Sequence, residues 1–192
     1  MHNLARLDHD RLHQHQTLWP AIPHALEQLC LDHCQPGGDL YTEFLRANPW
    51  AIEALAIDPV KHQDPPFTQW EAPQEFVQWA HSNLPLAWDQ HLWRTRVQRF
   101  RARDSSPVHK DILRDYSYNY LLKPSSALTL WHDDQGQTID HICYPQGQWY
   151  RHEGSVAHSV INILEPRWAV TVYIDIEPTP DALWRTMQSI YS

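Results

Sequence analysis

The spacing of apolar and polar positions changes along the chain near residue 92. Before that point apolar residues recur three and four positions apart, as in Ile22, Leu26, Leu29 and Cys30. This period is typical of a helix with one buried face. A second segment of this kind, "APQEFVQWAHSNL", covers residues 72–84. The first half of the chain is therefore predicted to be mostly helical.

From Trp93 the period changes from helical to two, which is typical of strands. The segment "WRTRVQRFRAR" alternates imperfectly, and five more short strand candidates lie between residues 116 and 176. Gly136 in "HDDQGQ" can adopt the positive φ of a hairpin turn. Residues 179–192 return to a helical pattern.

Short strands spaced by 8–12 residues favour a β-sandwich or a barrel. The chain contains no internal repeat and no low-complexity linker. We therefore predict one domain over residues 1–192, mainly β with flanking helices (α+β). Its parts would be a mostly helical layer over 1–91, a β core over 92–178 and a C-terminal helix over 179–192.

Composition and charge narrow the classes of function. The 192 residues carry a formal net charge of −8, which disfavours binding to nucleic acid or to an anionic membrane. No apolar run approaches the roughly 20 residues of a membrane span, and no signal-peptide core is evident. Three cysteines argue against a disulfide framework, so we predict a soluble, cytoplasmic protein. Cys30, His33 and Cys34 share a helical turn, but core cysteines are favoured over a metal clip.

A histidine and an aspartate, His109 and Asp111, stand two residues apart in "PVHKD". On a strand such residues point to the same face. His158, on a later strand candidate, could complete a set of two imidazoles and one carboxylate. That set is the facial triad of non-haem iron oxygenases, which leaves open metal positions. The alternative is a surface pair, or a histidine held by a nearby carboxylate.

Arg167 opens the strand candidate "RWAVTVYI", whose apolar residues suggest burial. A buried guanidinium is costly unless it meets an anion. It could hold a ligand carboxylate through two parallel hydrogen bonds, and the Thr171 hydroxyl on the same face could add a third. The alternative is an ion pair with an acidic residue of the chain.

The ordered set "PVHKD", "AHSVIN" and Arg167 resembles the Fe(II)/2-oxoglutarate-dependent oxygenases, and among them the aspartyl/asparaginyl β-hydroxylase-like members. The resemblance covers residues 93–176. It implies a double-stranded β-helix (a jelly-roll, cupin-like core) with His109, Asp111 and His158 as ligands of Fe(II). It also implies that Arg167 binds the distal carboxylate of the cosubstrate 2-oxoglutarate.

Asn119, polar in the otherwise aromatic and apolar "YSYNYLL", could contact the cosubstrate or merely satisfy a neighbouring strand. Trp131, Trp149 and Tyr150 are candidates for a pocket rim, with ordinary packing as the alternative.

The predicted function is hydroxylation of a C–H bond in an amino acid, peptide or small natural product, with release of succinate and CO2. One alternative is a cupin-type barrel that binds a metal and a ligand without oxidation. Another is an inactive barrel retained for protein contacts. Arg167 favours the oxygenase over the first alternative, and the intact triad argues against the second.

Overall fold

Two antiparallel β-sheets face each other in the computed structural model of the chain. It describes residues 12–35, 67–103, 105–111, 116–161 and 164–174, together with residues 40, 46 and 47. The strands are β1 (His13–His15), β2 (Phe67–Glu71), β3 (Trp93–Phe100), β4 (Tyr116–Leu121), β5 (Leu128–His132), β6 (Thr138–Cys143), β7 (Trp149–Glu153), β8 (His158–Ile161) and β9 (Arg167–Ile174). The helices with both ends in these ranges are α1 (His24–His33) and α2 (Gln74–Asn83).

The strand order shows how the chain winds between the sheets. The larger sheet has the order β1-β7-β4-β9-β3-β2, and the smaller sheet has the order β6-β5-β8. The extended segment 105–111 continues the smaller sheet beyond β8, through antiparallel bridges from Ser105 to Ile161 and from His109 to His158. From β3 to β9 the chain therefore passes repeatedly from one sheet to the other. This winding is a double-stranded β-helix, so the predicted fold class is confirmed.

The larger sheet has a core on each of its faces. Val170 and Val172 of β9 pack on the side that α1 and α2 cover, with Phe76 of α2 among their neighbours. Ala169 lies on the other side, with Trp131 of the smaller sheet. Because side chains alternate along a strand, both faces of β9 are buried.

The predicted helices near residues 22–30 and 72–84 are present as α1 and α2, and Gly136 has a φ of 78° in the turn between β5 and β6. β1, β2 and β7 were not predicted. β7, "WYRHE", is strongly polar, and β1 has only three residues. The predicted C-terminal helix over 179–192 lies outside the described residues, and the domain division stays a prediction. No helix within the described ranges is long and apolar enough to cross a membrane.

Candidate metal centre

Backbone pairing brings the two predicted histidine ligands together. The His109 amide donates to the carbonyl of His158 over 2.9 Å, and the His158 amide donates to the carbonyl of His109 over 2.8 Å. Residues paired in this way across two antiparallel strands share a face. The centroids of the two imidazole rings are accordingly 4.4 Å apart.

Asp111 completes the triad two residues after His109. Its amide donates to the carbonyl of Gly154 over 2.8 Å, which fixes this end of the segment. His109 Nε2 lies 3.9 Å from Asp111 Oδ1. Each of the three side chains offers one ligand atom, and these atoms all lie within 4.8 Å of one another. Two imidazole nitrogens and a carboxylate oxygen at this spacing can share one cation.

Hydrogen bonds set the orientation of both imidazoles. His109 Nδ1 lies 2.8 Å from the carbonyl oxygen of Pro107, and His158 Nδ1 lies 2.9 Å from that of Val156. A carbonyl only accepts, so each Nδ1 carries the hydrogen and each Nε2 keeps its lone pair for a metal. Such outer hydrogen bonds are typical of metal-binding histidines, so the triad fits a metal.

The position of Asp111 depends on the absence of a side chain at Gly154. A Cβ built at Gly154 would lie 2.6 Å from Asp111 Oδ2 and 3.0 Å from its Cβ. Real Cβ atoms do not approach other atoms this closely. Any larger residue at 154 would therefore displace the carboxylate.

Arg167 lies inside the barrel, 6% exposed. Its Nη1 donates to Thr129 Oγ1 of the smaller sheet over 3.4 Å, and its Cζ lies 5.3 Å from the centre of the Tyr144 ring. Burial lowers the pKa of the guanidinium. Within the part of the chain that the structure describes, no carboxylate pairs with Arg167. The internal ion pair considered from the sequence is therefore not observed there.

The register relates Arg167 to the triad. Trp131 of β5 pairs with His158. Thr129, which accepts the hydrogen bond from Arg167, lies two residues before Trp131 on β5. Two strand residues span roughly 7 Å. The guanidinium thus lies about one side-chain repeat deeper in the barrel than the triad.

Asn119 and Thr171 are register partners on β4 and β9. The Thr171 hydroxyl donates to Asn119 Oδ1 over 2.7 Å, and Asn119 Nδ2 donates to Ser117 Oγ over 3.1 Å. Asn119 thus forms a hydrogen bond to the neighbouring strand β9, which was one of the two alternatives left open by the sequence. A contact of either residue with a cosubstrate stays a prediction.

His152, Tyr144 and Thr129 join the site although the sequence analysis did not single them out. The His152 ring lies 4.7 Å from that of His158, and a 3.1 Å hydrogen bond joins His152 Nδ1 to the Tyr144 hydroxyl. Burial raises the pKa of Tyr144, so its hydroxyl stays protonated and able to donate. Tyr144 therefore contacts both His152, which lies beside the triad, and Arg167. The sequence signal for these residues is only a polar group inside a strand or directly after one.

The three rim candidates fall in different places. Trp149 packs in the helix-side core, which is the alternative of ordinary packing. Trp131 is fully buried between the sheets, with its ring 5.2 Å from that of His152. Tyr150 is partly buried against the same inter-sheet core.

Cys30 and Cys34 behave as core residues. Cys34 Sγ donates to the Cys30 carbonyl over 3.1 Å. Burial raises the pKa of both thiols to about 12, so neither is a thiolate near neutral pH. The three cysteines of the chain are free.

No protein-family model matches the chain, and no curated protein matches it. Solved structures are similar at low identity. Procruciferin, an 11S globulin from Brassica napus, has a TM-score of 0.36 and 11% identity over 44% of this chain and 21% of its own. A 2OG-Fe(II) oxygenase family oxidoreductase from Burkholderia pseudomallei has a TM-score of 0.39 and 11% identity over 46% of this chain and 45% of its own.

The oxalate decarboxylase of Lactobacillus farciminis has a TM-score of 0.40 and 10% identity over 64% of this chain and 33% of its own. The chain thus spans less than half the length of each of these three structures. Likenesses this weak say nothing about chemistry, and the fold rests on the strand order described above. That fold is cupin-like.

Proposed function

We propose that the chain is an Fe(II)- and 2-oxoglutarate-dependent oxygenase. It would hydroxylate a C–H bond of an amino acid, a peptide or a small natural product and release succinate and CO2. The observation that carries the proposal is a pair of features in one barrel. A triad of two histidines and an aspartate lies at one level, and a buried guanidinium without a described carboxylate partner lies deeper.

His109, Asp111 and His158 would hold the iron. Their donor set, two neutral imidazoles and one carboxylate, suits Fe(II) and leaves positions for other ligands. When bound, the iron and its cosubstrate supply the oxidising chemistry. The chain's own part is to keep both Nε2 lone pairs directed at the metal, through the carbonyls of Pro107 and Val156.

Arg167 would bind the distal carboxylate of 2-oxoglutarate. The dicarboxylate would supply the counter-charge that the described residues do not, and the Thr129 and Tyr144 hydroxyls are near enough to join as donors. The depth of the guanidinium below His158 suits a short dicarboxylate bound at the metal by its other end. A cupin-type barrel that binds a metal without oxidation has no need of this buried charge.

The test is succinate formation by the protein supplied with Fe(II), ascorbate and 2-oxoglutarate, alongside the visible charge-transfer band of the anaerobic complex. His109→Ala should lose the band because iron is lost. Arg167→Gln should keep iron but raise the 2-oxoglutarate concentration needed roughly tenfold or more. His141→Ala, an exposed histidine on β6, is the matched control and should change neither. Absence of both band and succinate from the iron-loaded wild type would refute the proposal.

A further inference from the structure

The inner face of the larger sheet is polar where a barrel core would be apolar. Directly opposed residues share a face, and three of them form a row across β3, β9 and β4. This inner polar row consists of Arg96, Thr171 and Asn119, paired in register. Thr171 stands two residues from Ala169, which packs between the sheets, so the row faces the barrel interior. Each member is at most 9% exposed.

Arg96 is the charged member of the row and is incompletely satisfied. Its Nη1 pairs with Glu71 Oε2 of the neighbouring strand β2. Its Nε is buried and has no hydrogen-bond partner. A guanidinium has five N–H donors, so a single carboxylate oxygen leaves several donors for another acceptor. The Glu71 side chain is 56% exposed, which places the guanidinium near the boundary between the barrel interior and solvent.

Gln98 lies two residues from Arg96 on the same face, opposite Ala169. It is 8% exposed. Its amide forms no hydrogen bond to any side chain or backbone group that the structure describes. Arg96 Nε and the Gln98 amide thus offer donors at adjacent inward positions of one strand, which suits an acceptor with two oxygens.

The inner polar row connects to the metal centre. Asn119 bonds Ser117, Ser117 is the register partner of His152, and the His152 ring contacts that of His158. From β3 to β7 the sheet advances three strands, or about 14 Å. A substrate held at Arg96 would have to bridge that span to reach the triad.

Charge along β3 supports an anionic ligand. The chain has 15 lysines and arginines and a net charge of −8, yet five of its arginines fall in the stretch 94–103. Arg94 shares the inner face with Arg96, opposite Tyr173. Positive charge in an otherwise acidic protein is thus concentrated on β3, which carries Arg96, and on the residues just after it. Such a concentration attracts anions.

We infer that Arg96, with Gln98, binds a carboxylate of the substrate, so that the substrate of this barrel is an organic acid whose carboxylate is several bonds from the carbon that reacts. This inference rests on the proposed function for the reaction and adds the substrate class. It assigns separate carboxylates to the two guanidiniums: the substrate's to Arg96 and the cosubstrate's to Arg167. In the free protein Glu71 occupies part of the Arg96 site.

The experiment measures binding directly and needs no turnover. The probes are straight-chain fatty acids of four to ten carbons and N-acetyl amino acids, each compared with its primary carboxamide by ligand-observed NMR. The protein is loaded with Zn(II) and excess 2-oxoglutarate. At least one carboxylate should bind the wild type roughly tenfold more tightly than its carboxamide. Arg96→Gln should remove that preference, and Glu71→Gln should tighten carboxylate binding by freeing the guanidinium.

Arg99→Gln is the matched control, because Arg99 lies on the same strand but on the side of α1, near Cys34. It should leave binding unchanged, and thermal melts should show that all three variants are folded. Equal binding of acids and amides, or a preference that depends on Arg167 and not on Arg96, would overturn the inference. Succinate formation without Arg96-dependent binding would remove this inference alone, whereas Arg96-dependent binding without succinate would remove the oxygenase proposal alone.

Discussion

The geometry of the triad depends on single atoms outside it. Each Nδ1–H is held by a carbonyl two residues earlier in the chain, at Pro107 or at Val156. The Asp111 carboxylate fits because Gly154 has no Cβ. These groups bind nothing themselves, but they decide where three ligand atoms lie.

Gly154→Ala should weaken metal binding roughly tenfold or more, because the new methyl group displaces Asp111. Titration with Co(II) followed by absorption measures the affinity. Gly136→Ala is the control, since a Cβ there meets nothing within 4 Å. It should cost about 1 kcal/mol of stability through its φ of 78° and leave metal affinity unchanged. Equal affinities for the two variants would contradict this account.

The sequence predicts the triad more completely than its surroundings. His109 and Asp111 are recognisable because they stand two positions apart in an extended segment, and His158 and Arg167 because they follow in a familiar order. His152, Tyr144 and Thr129 have no such spacing, and only the register of distant strands brings them near the ligands. A polar residue inside a strand does not reveal what lies opposite it.

At the scale of elements, the candidate metal centre lies where the segment 105–111 pairs with β8, a seam of the smaller sheet. The seam has few backbone hydrogen bonds, and a side chain supports it: Val160 N donates to Ser106 Oγ over 2.7 Å, while Ser106 N donates to the Val160 carbonyl over 2.8 Å. The segment carries His109 and Asp111, so its register on β8 sets the ligand spacing.

Ser106→Ala should therefore reduce both stability and metal affinity. The Val160 amide would lose its acceptor, at a cost of about 1–2 kcal/mol in the free energy of unfolding. Metal affinity should fall several-fold as the seam loosens. Urea denaturation and Co(II) titration measure the two effects. Ser155→Ala, whose exposed hydroxyl bonds only Glu153, should have little effect on either. Loss of stability with full metal affinity would show that the seam does not position the ligands.

The strands that the sequence did not predict lack a clear apolar alternation, for two physical reasons. β7 has polar residues on both faces, with His152 on the inner face and Arg151 and Glu153 on the other, so its pattern lacks the apolar alternation of a core strand. β1 and β2 form the two edges of the larger sheet, and edge strands need little apolar character. Strands β3, β4 and β9 were predicted because their apolar residues pack against the helices.

At the scale of the whole molecule, the two faces of the larger sheet serve different purposes. Towards α1 and α2 the contacts are apolar and stabilise the fold. Towards the smaller sheet the buried side chains include Arg96, Asn119 and Arg167, and burying such polar groups costs free energy unless their hydrogen bonds are satisfied.

Arg167→Met should accordingly raise the stability of the ligand-free protein by about 1 kcal/mol or more, because a buried charge with no counter-charge among the described residues is replaced by an apolar side chain. The same variant should no longer be stabilised by 2-oxoglutarate. Thermal melts with and without the cosubstrate measure both effects. Arg151→Met, at a half-buried arginine paired with Glu153, is the control and should keep the response to 2-oxoglutarate. A less stable Arg167→Met protein would argue that the guanidinium is structural.

The mutual backbone hydrogen bonds of His109 and His158 have a consequence for motion at the open end of the barrel. Each amide hydrogen is held by the other residue's carbonyl, so each is protected from exchange with solvent deuterium until this pairing opens. The exchange rates of these two hydrogens therefore report how often the pairing between β8 and the segment 105–111 opens. A cation bound by both imidazole rings would slow the exchange of both hydrogens, since it would also hold the two segments together through their side chains.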